Sequence, residues 1–471
     1  MRFLRFAFAA SLLAAPLATP AAAQDPGVVG RWGGALEVQS MRLRLTLEVK
    51  DEGGTRTAKF VSVDQGGSEI PATVAVTADS VIFEMAPLAA AYRAVRVGRD
   101  TLRGVWTQGA GSLPLTLVRG ADAAMVVRRP QNPQPPYPYR AEEVSFESDP
   151  GVRLAGTLTL PQGAGPHPAV VLISGSGAQD RDEQLMNHRP FLVIADHLTR
   201  NGIAVLRVDD RGTGASTGTM EGATSEDFAR DVMAAVRLLR TRPEVAGDRV
   251  GLIGHSEGGM IAPMVASRMP EVAFTVLLAG PGMDGAELLR LQGELISRAT
   301  GTPDSLIQRT SNAQREAFAA INTIADSGAL DARLREIVSV LLATTPPEDL
   351  QRRQAEVAAS LRQLTNPWFR YFLRYDPEPA LRGTRVPVLA LNGSLDLQVP
   401  ADENLSGIER ALRAAGNPDV TVEKLPGLNH LFQPATTGAP SEYGEIEQTM
   451  DPAVLERITS WILQRFGPGR R

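Results

Sequence analysis

The run Val250-Gly251-Leu252-Ile253-Gly254-His255-Ser256-Glu257-Gly258-Gly259 carries an apolar segment into a turn with glycine two residues on either side of a serine. A strand ending in such a turn, with a helix opening behind it, holds the serine in a strained conformation and exposes its Oγ above a sheet. The chemistry this suits is nucleophilic acyl transfer, which needs a base to take the hydroxyl proton and an acid to orient that base. Five histidines are present: His167, His188, His197, His255 and His430. His255 neighbours the serine, so its side chain must diverge from that of Ser256. His167 precedes a strand and belongs at the wrong end of a sheet, while His197 sits inside a helical stretch. His430, in Gly427-Leu428-Asn429-His430-Leu431-Phe432, follows the last strand-like run and fits the order Ser…Asp…His. It is the expected base, with His188 as the rival.

The acid is expected between Ser256 and His430, just past a strand end. Asp396, in Asn392-Gly393-Ser394-Leu395-Asp396, meets that condition, and Asp284 after the preceding strand is the alternative. Two backbone N–H donors must face the charge that develops on the carbonyl oxygen. Glu257 N–H supplies one. The other is expected from Ser174-Gly175-Ser176-Gly177, with Ser176 N–H ahead of Gly175. Two further clusters stand close by. Gln179-Asp180-Arg181-Asp182-Glu183 reads as a solvated acidic loop with an internal ion pair, and Asp209, Asp210 and Arg211 read as residues that fix loops around the site.

These residues require a scaffold of alternating strands and helices. Short apolar, β-branched-rich runs at 169–174, 204–208, 250–254, 274–279, 386–391 and 420–425 predict strands, with a hairpin from 144–146 and 154–160 before them. Helical patterns at 191–200, 224–240, 259–268 and 403–415 lie between, so the sheet should be parallel and covered on both faces. About a hundred residues, 281–385, interrupt that rhythm with helical patterns such as 350–364, as a cap over a site would.

Residues 27–120 read differently. Alternation in Leu43-Arg44-Leu45-Thr46-Leu47-Glu48-Val49, further runs at 73–76, 80–83, 92–97, 101–106 and 113–118, and glycine-rich turns predict a small all-β barrel or sandwich. Five prolines between Arg129 and Pro138 predict a stiff linker over 121–140, extended rather than packed, leading into a second domain at 141–471.

The N-terminus begins with Arg2 and Arg5, continues through an apolar run at 6–17 and ends in Ala21-Ala22-Ala23, the pattern of a cleavable secretory signal at 1–23. Removing it takes the formal net charge from −5 to −7, which argues against nucleic acid or an anionic membrane surface as the main partner. No later run is long and apolar enough to span a bilayer. Cysteine is absent, which excludes thiol catalysis and cysteine-metal sites and suits a periplasmic or secreted protein.

The run Ser174 to Glu183, the turn Asp209-Asp210-Arg211-Gly212 and the elbow Gly-His-Ser-Glu-Gly-Gly together resemble the EstD-type esterases. These are α/β-hydrolases near the serine aminopeptidase (S33-like) and acyl-CoA thioesterase groups. The resemblance covers essentially everything after the linker. Gly30-Arg31-Trp32-Gly33 is also similar to the start of the β domain such proteins carry, and Trp368-Phe369-Arg370-Tyr371-Phe372 to the end of their cap. Ala178 departs from the pattern, where proline is expected. The resemblance implies a triad of Ser256, Asp396 and His430. The fold class expected is α/β, an α/β-hydrolase fold with a helical cap insertion, preceded by a small all-β domain. The function expected is hydrolysis of small-molecule carboxylic esters, of short to medium acyl chain, through an acyl-enzyme with no metal or organic cofactor. Alternatives are an aminopeptidase-like serine peptidase with the same triad, an inactive binding protein, and an acyl-CoA thioesterase, which fits poorly with export.

Overall fold

In a computed structural model of the chain, residues 27–38, 41–65, 67–77, 80–109, 111–122, 128–342 and 366–467 are described. The expected signal at 1–23 and the helical pattern at 350–364 lie outside them.

The first eight strands are β1 (Gly30–Val38), β2 (Met41–Glu52), β3 (Thr55–Ser62), β4 (Ser68–Val76), β5 (Val81–Met85), β6 (Ala90–Val97), β7 (Thr101–Gln108) and β8 (Gly111–Arg119). Each pairs antiparallel with the next, and β1 pairs with β8, so the all-β part is a closed barrel and not a sandwich. Closure leaves no unpaired edge. Eight strands enclose a space that side chains can fill. Here Trp32, Phe60, Phe83, Tyr92 and Trp106 pack inside it, with Phe60 edge-on to Phe83, Tyr92 and Trp106 at 5.5–6.2 Å between ring centres, and a cavity lined by Leu36, Leu45, Ile70 and Trp106 is left over. The Tyr92 hydroxyl, buried among them, donates to the carbonyls of Leu102 (3.0 Å) and Leu115 (3.1 Å). β3 was not among the expected strands. Its first residues are exposed and only Ala58, Phe60 and Ser62 alternate inward, a signal too short to stand out.

The second sheet holds β9 (Arg140–Glu147), β10 (Arg153–Leu160), β11 (His167–Ile173), β12 (Ala204–Val208), β13 (Val245–His255), β14 (Thr275–Leu278), β15 (Val388–Gly393) and β16 (Val420–Leu425). Their spatial order is β16-β15-β14-β13-β11-β12-β10-β9. β9 and β10 form the expected antiparallel hairpin, and β11 to β16 run parallel. This is the α/β-hydrolase order, with β11 and β12 exchanged in space. Helices cover both faces over two separate apolar cores, one containing Val171, Leu252 and Ile261, the other Val170, Ile253 and Trp461. The chain leaves β11 toward one edge and β13 toward the other, so their carboxyl ends flank a topological switch point, where ligands bind in open α/β sheets.

Between β14 and β15 stand the helices Gly285–Ala299, Asp304–Thr323, Ser327–Leu342, Pro367–Arg374 and Glu378–Gly383. The first four share an apolar core of their own, formed by Phe318, Ile321, Leu334 and Leu373, while Leu381 of the fifth packs into the core of the sheet.

The proline-rich stretch turns at Arg129–Asn132, where Asn132 N–H donates to Arg129 O (3.0 Å), and residues 128–139 are packed and not the free-standing extended linker expected. Arg129 donates to the carbonyls of Met186, Gly444 and Ile446 at 2.8 Å each, and Gln131 is bonded to Thr449 and Met450. The barrel docks on the same ground. Arg44 and Asp64 form an ion pair that is almost fully buried, and Arg44 also donates to Gly444 O at 2.9 Å. Removing one partner of such a pair leaves an uncompensated buried charge, which costs about 3–5 kcal/mol. Arg44→Ala is therefore expected to destabilise the full chain by about that amount, seen as an earlier denaturant midpoint in tryptophan fluorescence; a midpoint equal to wild type would refute the clamp.

Candidate active site

β13 ends at His255, and the next residue, Ser256, has φ 53 and ψ −118 before the helix Glu257–Ala266 begins. A non-glycine residue in that region is strained by roughly 1–3 kcal/mol and persists only where its surroundings enforce it. They do so by contact. A Cβ on Gly254 would overlap Gly258 O, and one on Gly258 would overlap Ile173 O at the end of β11. Ser256 N–H donates to Leu278 O (2.8 Å), which ties the turn to β14. The serine is half-buried and occupies the N-cap position without a side-chain bond to the helix, whose first N–H groups have no partner within the helix.

His430 and Asp396 meet across two loops. His430 Nδ1 lies 2.8 Å from Asp396 Oδ2, and both side chains are buried. Asp396 Oδ1 accepts from the N–H groups of Gln398 (2.8 Å) and Val399 (2.9 Å), which fixes the carboxylate. A carboxylate only accepts, so the imidazole carries its proton on Nδ1 and leaves the Nε2 lone pair available. Asp284, the alternative acid, caps the helix Gly285–Ala299 instead, accepting from Ala286 N and Glu287 N. The rival base, His188, is fully buried with both ring nitrogens engaged by Thr449 Oγ1, Tyr443 O and the Gln433 amide. Burial, with Arg129 nearby, pushes its pKa down to about 4, so it is a neutral structural group.

Of the two donors considered at the end of β11, Gly175 N–H is already committed to Glu183 Oε1 at 2.6 Å. Ser176 is exposed, and its N–H has no partner among the described residues. Asp210 holds this loop at both ends, accepting from Ser174 Oγ (2.7 Å) and Gln179 N (2.9 Å). Asp209 does the same for the next turn through Arg181 and Ala215 N, and Arg211 bonds Asp231 and Asp149. The three residues thus fix loops, as expected.

The acidic run is a correction. It is not a solvated loop with an internal pair. Arg181 pairs outward with Asp209 and Glu143, Asp182 with Arg207, and Glu183 with His255. Alternation of charges along a loop does not disclose partners on other strands. Glu257 offers more than its N–H: its carboxyl is buried and accepts from Ser225 Oγ (2.6 Å) and Trp368 Nε1 (2.9 Å). Burial raises its pKa, against the opposing effect of those two bonds. Trp368 brings the inserted helices to the residue that follows the serine. Glu257, Asp210, Ser174, Gly175 and Phe228 line one cavity beside the elbow.

Among the described residues, the arrangement offers a strained hydroxyl at a helix N-terminus, an imidazole held by a carboxylate with no partner on Nε2, and backbone N–H groups with no partner. No group of three or more histidine or acidic side chains at metal-binding spacing occurs among the described residues.

The profile of the family described as X-Pro dipeptidyl-peptidase (S15 family) matches residues 150–422, more than half of the chain, and ends before His430. Esterase EstD of Thermotoga maritima is 25% identical over 312 residues, 66% of each chain. Acyl-coenzyme A thioesterase 1 of Homo sapiens is 32% identical over 144 residues, 31% of each chain. The chain thus spans slightly under two thirds of EstD and about a third of the thioesterase. Among solved structures, an esterase of Pyrococcus furiosus gives a TM-score of 0.41 at 16% identity, covering 72% of this chain and 98% of its own. A proline iminopeptidase of Mycobacterium smegmatis gives 0.41 at 16% identity, covering 69% and 98%. The resemblance to EstD-type esterases expected from the loop and elbow motifs is borne out.

Burial drives the Asp210 pKa up to about 7, beyond what its hydrogen bonds to Gln179 and Ser174 offset. The folded state therefore binds this proton more tightly than the unfolded chain, for which an aspartate titrates near 4. Its contribution to stability is full below about pH 4 and is lost as pH rises toward 7. Asp210→Asn removes that loss. The melting temperature of wild type minus that of the variant is expected to fall between about pH 4 and 7 and level off above; a difference independent of pH would contradict the assignment.

Proposed function

The chain belongs to the X-Pro dipeptidyl-peptidase (S15) family of α/β-hydrolases, and from that premise we propose that it is a serine hydrolase acting on small-molecule carboxylic esters through an acyl-enzyme. The observation that carries this reading is the contact of His430 Nδ1 with Asp396, which leaves Nε2 without a partner among the described residues, on a segment whose backbone is bonded to His255, the residue before the strained Ser256. In the proposed cycle His430 Nε2 takes the Ser256 proton as Oγ attacks the ester carbonyl. Glu257 N–H and Ser176 N–H hold the oxyanion, and the imidazolium protonates the leaving alcohol. Water then enters, gives a proton to His430, and releases the acid, returning Oγ–H. Asp396 stays ionised and stabilises the imidazolium. No metal or organic cofactor takes part.

The helices between β14 and β15 act as a cap in this reading, since Trp368 reaches the Glu257 carboxyl. The expected signal at 1–23 makes the mature chain, from Gln24, a periplasmic or secreted enzyme. The similarity of the first curated relative, an esterase, supports the ester preference. A second reading, a peptidase that recognises a substrate amine, is favoured by the family match and by Glu257 Oε2, which is buried without a partner among the described residues.

Ser256→Ala is expected to lower kcat on p-nitrophenyl esters by about three orders of magnitude or more, with a fluorophosphonate probe no longer labelling the protein. An active alanine variant would sink the proposal. Kinetics on acyl chains of increasing length beside aminoacyl and X-Pro anilides separate the two readings: faster turnover of the anilides favours the peptidase.

A further inference from the structure

Glu183 and His255 take no part in the cycle above, yet they connect three of its elements. Glu183 Oε1 accepts from Gly175 N–H at 2.6 Å, at the root of the Ser174–Gly177 loop, and from His255 Nδ1 at 2.9 Å. His255 stands at the end of β13 beside the nucleophile, and its Nε2 lies 3.0 Å from His430 O. The two imidazole rings are 4.9 Å apart. A carboxylate and a carbonyl both only accept, so each nitrogen of His255 must donate, and the ring is an imidazolium paired with Glu183. Burial opposes that charge, but the Glu183 carboxylate and the His430 carbonyl outweigh it and raise the His255 pKa. Phe191, Ile194, Leu278, Leu431 and Met450 enclose the pair.

Glu183 is itself placed with some care by its surroundings. Its backbone lies in the left-handed region at φ 51. Asp180 Oδ1 accepts from Asp182 N and Gln184 N on either side of it, and Arg181 and Asp182 anchor the loop to Asp209 and Arg207. The carboxylate is thus delivered to one point between the Ser174–Gly177 loop and the nucleophile strand.

We infer that Glu183 and His255 are positioning residues that lock the loop carrying Ser176 N–H, the nucleophile strand and the backbone of His430 into one register. The inference rests on the serine-hydrolase reading of the site. Neither side chain touches the reacting atoms; each acts through Gly175, Ser256 and His430. Loosening the lock shifts the Ser176 donor and the His430 ring relative to Ser256, and misplacement by about 1 Å can cost roughly a hundredfold in rate. Ground-state substrate binding depends on other contacts and changes little.

The test compares wild type, Ser256→Ala, Glu183→Gln, Glu183→Ala and His255→Asn on one p-nitrophenyl ester, with melting temperatures measured alongside. Glu183→Gln keeps the shape and one acceptor but removes the charge that holds the imidazolium. It is expected to lower kcat by about ten- to a hundredfold with KM within about threefold, and to weaken binding of an alkyl boronic acid, which forms a tetrahedral adduct on serine, by a similar factor. Glu183→Ala should lose more of both. Should Glu183→Gln fail to fold, His255→Asn carries the same comparison. A folded Glu183→Gln or His255→Asn with wild-type kcat and boronate affinity overturns the inference, whatever its melting temperature, because a purely structural pair would alter only stability. If Ser256→Ala retains wild-type activity, the reading of the site itself falls, and the inference with it.

Discussion

Closeness of backbone to backbone at the elbow is the constraint on which the rest of this architecture depends. Gly254 touches Gly258, and Gly258 touches the carbonyl of Ile173, so the turn after β13 seats directly on the end of β11 with no side chain between. That contact holds Ser256 at positive φ and aims the helix N-terminus at the space above the sheet. It also sets where every other group must arrive. The Ser174–Gly177 loop begins one residue past Ile173, so the strand that supports the serine also delivers the second N–H donor of the proposed cycle. Two glycines thereby define the origin from which His430 and Asp396 are measured.

The groups that arrive are carried on loops, and loops are held here by buried charge. Asp210 spans the Ser174–Gln179 loop, Asp209 and Arg207 capture the following run through Arg181 and Asp182, and Glu183 reaches His255. Isolated surface ion pairs contribute little to stability, but partly buried pairs with several hydrogen bonds fix geometry, since breaking one strands the other. The proposed cycle through an oxyanion needs that kind of fixity, because its donors act only at the position where charge develops. Two acidic groups lining the cavity beside the elbow, Asp210 and Glu257, both have their pKa values raised by burial, which lessens the charge that would oppose an oxyanion.

The barrel extends the same logic outward. Its buried pair Arg44–Asp64 and the proline-rich stretch both bond the segment around Gly444, and Asn187 bonds Val63 of the barrel. Those segments follow Glu183 on one side and His430 on the other. His188, neutral and bonded to Thr449, Tyr443 and Gln433, ties them to each other. The barrel therefore abuts the loops that bear the proposed base and its neighbours, at a distance from the chemistry itself.

Much of this was legible in one dimension. The elbow, the strand–helix alternation, the elimination among five histidines and the position of Asp396 past a strand end are all local patterns, since they arise from periodicity and turn chemistry within a few residues. Partnerships between distant loops were not. Glu183 with His255, Asp182 with Arg207 and Arg44 with Gly444 join residues separated by 25 to 400 positions, and a run of charges looks the same whether it faces water or a buried partner. The choice between Asp396 and Asp284, and between Ser176 and Gly175, was likewise open in the sequence. In the structure Asp396 contacts His430 whereas Asp284 caps a helix, and Gly175 N–H is committed to Glu183 whereas Ser176 N–H has no partner among the described residues; those partnerships depend on which strands are neighbours in the folded sheet. The sequence by itself therefore determined the kinds of groups and their order along the chain. Only the tertiary structure decided which are free to act, because occupancy is a property of contacts between segments and not of any one segment.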